Sequence, residues 1–268
     1  MQSAKIGMCQ IHVANADVEG NLQRASDAVA LAASQGAQIV VLPETLDLGW
    51  IDASARTQAE PIPGRRTDYF AALARRYGVY LAAGLTEGGQ ADEEGAVYNA
   101  AILLGPDGSL LLHHRKVNEV RSARSLYTTG TSIGVVETEL GKIGLNICAD
   151  NFAESAAIGQ AQGIMGAALI VSPSAWALDP EIASAEDPEG VHWIQKTWVR
   201  PYQRLAEEFR MAVVGVSNVG GRIDSGELEG RVGIGASLAV GSDGAVIARL
   251  PYGQSAVAVQ TVDVVLRS

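Results

Sequence analysis

Three stretches, QIVVLPE (38–44), ALIVSPSAW (168–176) and MAVVGVSN (211–218), are apolar residue after residue before each stops in Pro, Ser or Asn. Strands that face water on one side alternate; strands without alternation are covered on both faces, as in parallel sheets. Such runs commit the chain to α/β layering. Helical patterns separate them. Asn21 is expected to open a helix with Leu22, Ala25, Val29 and Ala32 on one face and Gly36 as its stop. A second runs from about Asp68, with Phe70, Leu73, Ala74 and Tyr77 inward and Gly78 closing it, and a third runs to about Gly163. The segment WIQKTWVRPYQRLAEEF is helical at least after Pro201. KIGMCQIHV and VYLAAGLTE add strands, and Pro43 and Pro173 are expected to end theirs.

The two halves repeat one another. Helix, apolar strand and Pro occur at 22–43 and again at 153–173, and a strand, an Asp-Gly turn and a strand occur at 99–116 and at 235–250. Nothing between the halves reads as a linker, so residues 1–268 are expected to form one domain. LDPEIASAEDPEGVHW and GGRIDSGELEGRVGIG read as surface loops able to border a site.

The net charge of −10 argues against nucleic acid or an anionic membrane surface as partner and leaves a small, neutral or weakly charged ligand. No apolar run approaches the roughly 20 residues of a membrane helix, and the start, MQSAKIGMCQIHV, lacks a secretory pattern. Two cysteines make no disulfide framework, so a cytoplasmic protein with reduced thiols is expected.

Reactive groups collect at strand ends. Glu44 follows VVLP, Lys116 follows LLLHHR and Cys148 follows IGLNI. In a parallel sheet, chemistry sits at the carboxyl ends of strands. A thiol needs a base or a cation to become nucleophilic at neutral pH. A partly buried Glu44 suits the base, Lys116 suits stabilisation of the oxyanion, and the Ala149 N–H is a natural second donor. Each residue alone has an ordinary structural reading; together they make a site.

VLPE, HRK and GLNICADNFAES resemble the three blocks of the nitrilase superfamily of carbon–nitrogen hydrolases, and supporting segments follow in the family's order over nearly the whole chain. The resemblance implies a Glu44–Lys116–Cys148 triad, no cofactor, a four-layer αββα sandwich, and pairing through outer helices into a dimer or larger assembly. It also implies hydrolysis of a small amide through a thioester. Two positions depart from the pattern. Ala149 stands where amidase-like members carry an aromatic residue, and Ala149-Asp150 replaces the Trp-Glu of true nitrilases. Ala123 stands where many members have a second glutamate, which leaves Glu119 as the nearest auxiliary acid.

A nitrile substrate, attacked to give a thioimidate, is the alternative chemistry, and a catalytically silent binding or scaffold protein is the alternative of another class. Trp50, Tyr127 and Trp176 follow strand ends or their loops and are candidates for the pocket wall. Cys9, in an alternating strand without charged neighbours, reads as core. His113 and His114 point to opposite faces of a strand and cannot serve one site, and no Cys/His spacing matches a metal signature.

Overall fold

The structure, a computed structural model, describes residues 2–90, 93, 95–181, 193–224 and 226–264. Residues 182–192 of the expected LDPEIASAEDPEGVHW loop, His192 included, lie outside the described residues.

The first sheet contains β1 (Gln2–Gln10), β2 (Ile39–Val41), β3 (Tyr80–Gly88), β4 (Val97–Leu104), β5 (Leu110–Arg115) and β15 (Ala256–Val264), in the order 15-1-2-3-4-5. The second contains β6 (Gly134–Val136), β7 (Ile143–Leu145), β8 (Leu169–Ser174), β10 (Ala212–Ser217), β13 (Leu238–Val240) and β14 (Val246–Arg249), in the order 14-13-10-8-7-6. In each, three central strands run parallel and antiparallel strands flank them: β1, β2 and β3 match β7, β8 and β10. The repeated halves of the sequence are these two sheets. A small third sheet joins β9 (Ala177–Leu178), β12 (Val232–Ile234) and β11 (Val219–Arg222).

Strand periodicity assigns the layers. Ile39 and Val41 of β2 pack with Ile6 and Met8 of β1 into a cluster that includes Leu145, Val171 and Val214 of the second sheet. Val40 and Leu42 face the other way, onto Ala25, Val29 and Ala32 of α1 (Val18–Ser34), in a cluster that includes Phe70, Leu73 and Ala74; α2 is the short Ala55–Gln58, and α3 (Arg65–Tyr77) carries these three. Behind the second sheet lie α4 (Ala156–Ile164) and α5 (Arg200–Phe209), whose Tyr202, Leu205 and Ala206 are buried. The result is an αββα sandwich. Cys9 belongs to the helix-facing cluster, with its Sγ 3.5 Å from the carbonyl oxygen of Ala28.

Two boundaries differ from the sequence expectation. Helix α1 begins at Val18, and Asp17 caps it by accepting the Gly20 N–H. Asn21 is instead buried, its side-chain amide donating to the carbonyls of Ala14 and Asp47. Pro173 does not end β8, which continues to Ser174 opposite Ser217. The proline is tolerated because β7 stops at Leu145, opposite Val171, so β8 has one ladder neighbour beyond that point.

Candidate active site

The carboxyl ends of the two sheets meet. The Glu44 N–H donates to the Ser174 carbonyl at 3.2 Å, which ties the residues after β2 to the end of β8. Gly84 of β3 passes directly beneath: a Cβ there would lie 2.4 Å from the Glu44 Cα. Only glycine allows this approach. Lys116, just after β5, is held by its N–H to the Asn99 carbonyl and by its own carbonyl to the Gly130 N–H.

Cys148 lies three residues beyond β7 and opens a short 3₁₀ turn, Cys148–Asn151, with φ of +43°. A positive φ is costly for a residue with a Cβ and persists only where surrounding contacts impose it. Asp150 supplies several of those contacts. Its Oδ1 accepts the N–H groups of Val117 (3.1 Å) and Asn118 (2.7 Å), and its Oδ2 accepts the Ile147 N–H (3.0 Å) and lies 2.8 Å from His114 Nε2. One carboxylate thereby fastens the cysteine turn to the segment carrying Lys116. From behind, the Cys148 N–H donates to Ser172 Oγ, which also accepts from Asn151 Nδ2.

The structure brings Glu44, Lys116 and Cys148 together in one buried cluster. Lys116 Nζ and Asn99 Nδ2 each lie 2.6 Å from Glu44 Oε1, while Oε2 has no hydrogen-bond partner among the described residues. Burial pushes the Cys148 thiol up from its ordinary pKa; the Glu44 carboxylate adds to this and outweighs the pull of Lys116. The resting group is therefore a thiol beside a carboxylate, and the Ala175 N–H points at its sulfur. Burial alone would lower the Lys116 pKa, but Glu119, Glu44 and Cys148 overcome it and keep the group an ammonium.

Glu119 reaches this cluster, with Oε2 3.9 Å from Lys116 Nζ. Burial pushes its pKa up to about 8; Lys116 opposes the rise, while Glu44 and Asp150 reinforce it. Ala123, at the position expected for a second acid, is buried among apolar residues. The Ala149 N–H lies in the first turn of the 3₁₀ segment, where backbone donors lack partners within the helix.

A cavity of about 140 Å³ opens on Cys148 and Lys116. Trp50 and Trp176 line it, and Lys116 Nζ sits 5.9 Å from the centre of the Trp50 ring. Tyr127 does not line it. That side chain is buried with Leu48 and Ala123, and its hydroxyl accepts the Ile51 N–H, so it braces the Trp50 loop from behind. Sequence reasoning missed Asn99, Phe152, Trp193, Trp198 and Arg231. The Gly-rich segment does border the cavity, through Leu228 and Arg231. The two neighbouring histidines diverge, His113 to Glu87 and His114 to Asp150.

A family model for carbon-nitrogen hydrolases matches residues 5–268. Omega-amidase NIT2 of Danio rerio is 35% identical over 188 residues, covering 66% of this chain and 65% of that protein. The Xenopus tropicalis omega-amidase NIT2 is 37% identical over 168 residues, 58% of each chain. The chain thus aligns with less than two thirds of these relatives' length. Among solved structures, a carbon-nitrogen hydrolase from Helicobacter pylori superposes with a TM-score of 0.80 at 21% identity, over 97% of this chain and 89% of that one. An amidase variant from Nesterenkonia sp. AN1, in complex with acrylamide, gives 0.79 at 19% identity, over 97% and 90%. These two likenesses are of fold.

Proposed function

The chain belongs to the carbon-nitrogen hydrolase family, and on that premise we propose that it is an amidase acting on a small amide through Glu44, Lys116 and Cys148. One observation carries the reading: Glu44 gives one oxygen to Lys116 and Asn99 and keeps the other without a hydrogen-bond partner among the described residues, beside a protonated thiol. That arrangement fits a general base. Glu44 takes the thiol proton as Sγ bonds to the amide carbon, and the carbonyl π electrons move to oxygen. Lys116 and the Ala149 N–H hold the oxyanion. Collapse re-forms the carbonyl and breaks the C–N bond, with the proton on Glu44 passing to the leaving nitrogen. The thioester is then attacked by a water that gives its proton to Glu44. Release of the carboxylic acid returns that proton to Cys148.

The names of the relatives and of the Nesterenkonia protein point to amides rather than nitriles. Asp150 supports the same choice. Both its oxygens are engaged with the scaffold, so it offers no proton relay to a nitrile nitrogen. Across matched pairs of small primary amides and nitriles, ammonia release is expected to show higher kcat/KM for the amide, with Cys148→Ala as the inactive control. Faster turnover of the nitriles would replace this reading with the thioimidate route; no release from either would favour a silent binding protein.

Glu119 is the auxiliary acid in this proposal. At neutral pH it is mostly protonated, and it loses its proton as pH rises through about 8. The folded state therefore binds this proton more tightly than the unfolded chain, and Glu119 lowers stability progressively between its ordinary range near 4.5 and about 8. If the neutral acid assists turnover, kcat/KM falls on an alkaline limb near pH 8, and Glu119→Gln removes that limb. An unchanged limb in the variant would take Glu119 out of the mechanism.

Among the described residues no helix is long and apolar enough to cross a membrane. Exposed Ile164 and Met165 at the end of α4 support pairing of two copies through this outer layer.

A further inference from the structure

One hydroxyl holds the cysteine turn from behind. Ser172 Oγ accepts the Cys148 N–H at 3.1 Å and Asn151 Nδ2 at 3.0 Å. A serine hydroxyl has two acceptor lone pairs and one proton. Both lone pairs are spent, and the proton still needs an acceptor. The neighbouring amides are already paired, Asn146 and Asn151 each donating to the other's Oδ1 at 2.8 and 2.7 Å.

Tyr202 of α5 comes to the same spot from the helix layer. Its side chain is fully buried, and its hydroxyl lies over Gly215 of β10, where a Cβ would come within 2.3 Å of the oxygen. Gly215 is the ladder partner of Ser172 on β8. Residues paired across two strands point to the same face, so the glycine opens the space in which the phenol meets Ser172. The Tyr202 hydroxyl makes no hydrogen bond of ordinary geometry among the described residues. Burial raises its pKa and Cys148 adds to the rise, while Ser172, Ser174 and Asn151 oppose it, which sets these three polar side chains around the oxygen. Ser172 thus has a proton to give and Tyr202 an oxygen to receive it. Ser174 Oγ, which spends its own proton on the Ser172 carbonyl at 3.1 Å, keeps lone pairs for the phenolic proton.

We infer that Tyr202 is a positioning residue for the nucleophile: by accepting the Ser172 proton it fixes that hydroxyl as an acceptor, which holds the Cys148 N–H and with it the turn at φ of +43°. This rests on Cys148 being the nucleophile of the proposed amidase and adds the residue that aims it. Without the phenolic oxygen, the Ser172 proton competes with the Cys148 and Asn151 donors for the same side of the oxygen. A backbone at positive φ persists only where its contacts impose it, so the loss reaches the thiol.

Tyr202→Phe keeps the ring over Gly215 and removes only the oxygen, so the fold is expected to survive, with a thermal melt as control. For a small primary amide, kcat is expected to fall by about 3- to 10-fold, the size of one lost neutral hydrogen bond. KM should stay nearly constant, because Tyr202 does not line the cavity. Ser172→Ala removes the acceptor itself and should cost at least as much. The decisive variant combines the two: if Tyr202 acts through Ser172, adding Tyr202→Phe to Ser172→Ala brings no further loss. Losses that multiply, a kcat within twofold of wild type in Tyr202→Phe, or a rise in KM alone would overturn the inference. The same cycle read as the rate of Cys148 alkylation by iodoacetamide, located by mass spectrometry, needs no substrate. No ammonia from any amide would therefore remove the amidase reading, and the alkylation cycle would still decide whether Tyr202 aims the thiol.

Discussion

Glu44→Gln is expected to give a folded protein whose ammonia release is slower by about 1000-fold or more. General acid–base catalysis contributes about 100- to 10,000-fold at a single proton transfer, and Glu44 handles four in turn: from the thiol, to the leaving nitrogen, from water and back to the thiolate. A glutamine keeps the side chain's length and an oxygen for Lys116 Nζ and Asn99 Nδ2, now 2.6 Å from Glu44 Oε1. It cannot take a proton. The thiol, pushed up by burial, then lacks the carboxylate beside it that would activate it. Stability should change little. Lys116 loses one counter-charge, but Glu119 stands 3.9 Å away and its pKa is held up in part by Glu44 itself. With the Glu44 charge gone, Glu119 ionises more readily and pairs with the ammonium. A thermal melt beside the turnover assay separates the two effects, and activity within tenfold of wild type would remove Glu44 from the role of base.

The residues most legible in the sequence were those fixed by strand ends. Glu44, Lys116 and Cys148 each follow an apolar run, and the two-sheet architecture carries such ends to one place. The repeat of the halves was legible for the same reason, because continuous apolar runs and Asp-Gly turns recur in the same order. Convergence between distant segments was not. Arg231 enters the wall because β12 pairs with β9, and Trp198 because the helical stretch before α5 turns that ring onto Trp176, centroids 4.3 Å apart. Periodicity says which face of an element is buried, but not which other element covers it. Tyr127 shows the converse: an aromatic residue after a key loop suggests a pocket wall, and its hydroxyl is instead committed to the Ile51 N–H. Asn21 failed similarly, since a polar residue before an apolar stripe resembles a cap, while its amide is engaged by the Ala14 and Asp47 carbonyls.

Lys116→Met should show what the buried ammonium does, because here activity and stability fall together. Methionine fills a similar length beneath Trp50 but brings no charge. The oxyanion loses its charged donor; removing even a neutral donor of this kind costs about 100- to 1000-fold in rate, and turnover is expected to drop by at least that factor. The stability effect has a different origin. In the wild type the Lys116 side chain is fully buried between Glu44 and Glu119, and deleting one partner of a buried ion pair typically costs about 3–5 kcal/mol. The acids left behind escape part of that cost by holding protons, which the unfolded chain releases near its ordinary carboxyl range. The variant should therefore be most stable at low pH and lose stability as pH rises from about 5 to 8, more steeply than the wild type, in which Lys116 opposes the rise of Glu119. Lowering the pH should not rescue turnover, because a protonated Glu44 cannot accept the thiol proton. Melting temperatures and ammonia release measured across that range test both parts. A variant as stable at pH 8 as at pH 5, or one that turns over within tenfold of wild type, would mean that Lys116 neither neutralises the acids nor stabilises the oxyanion.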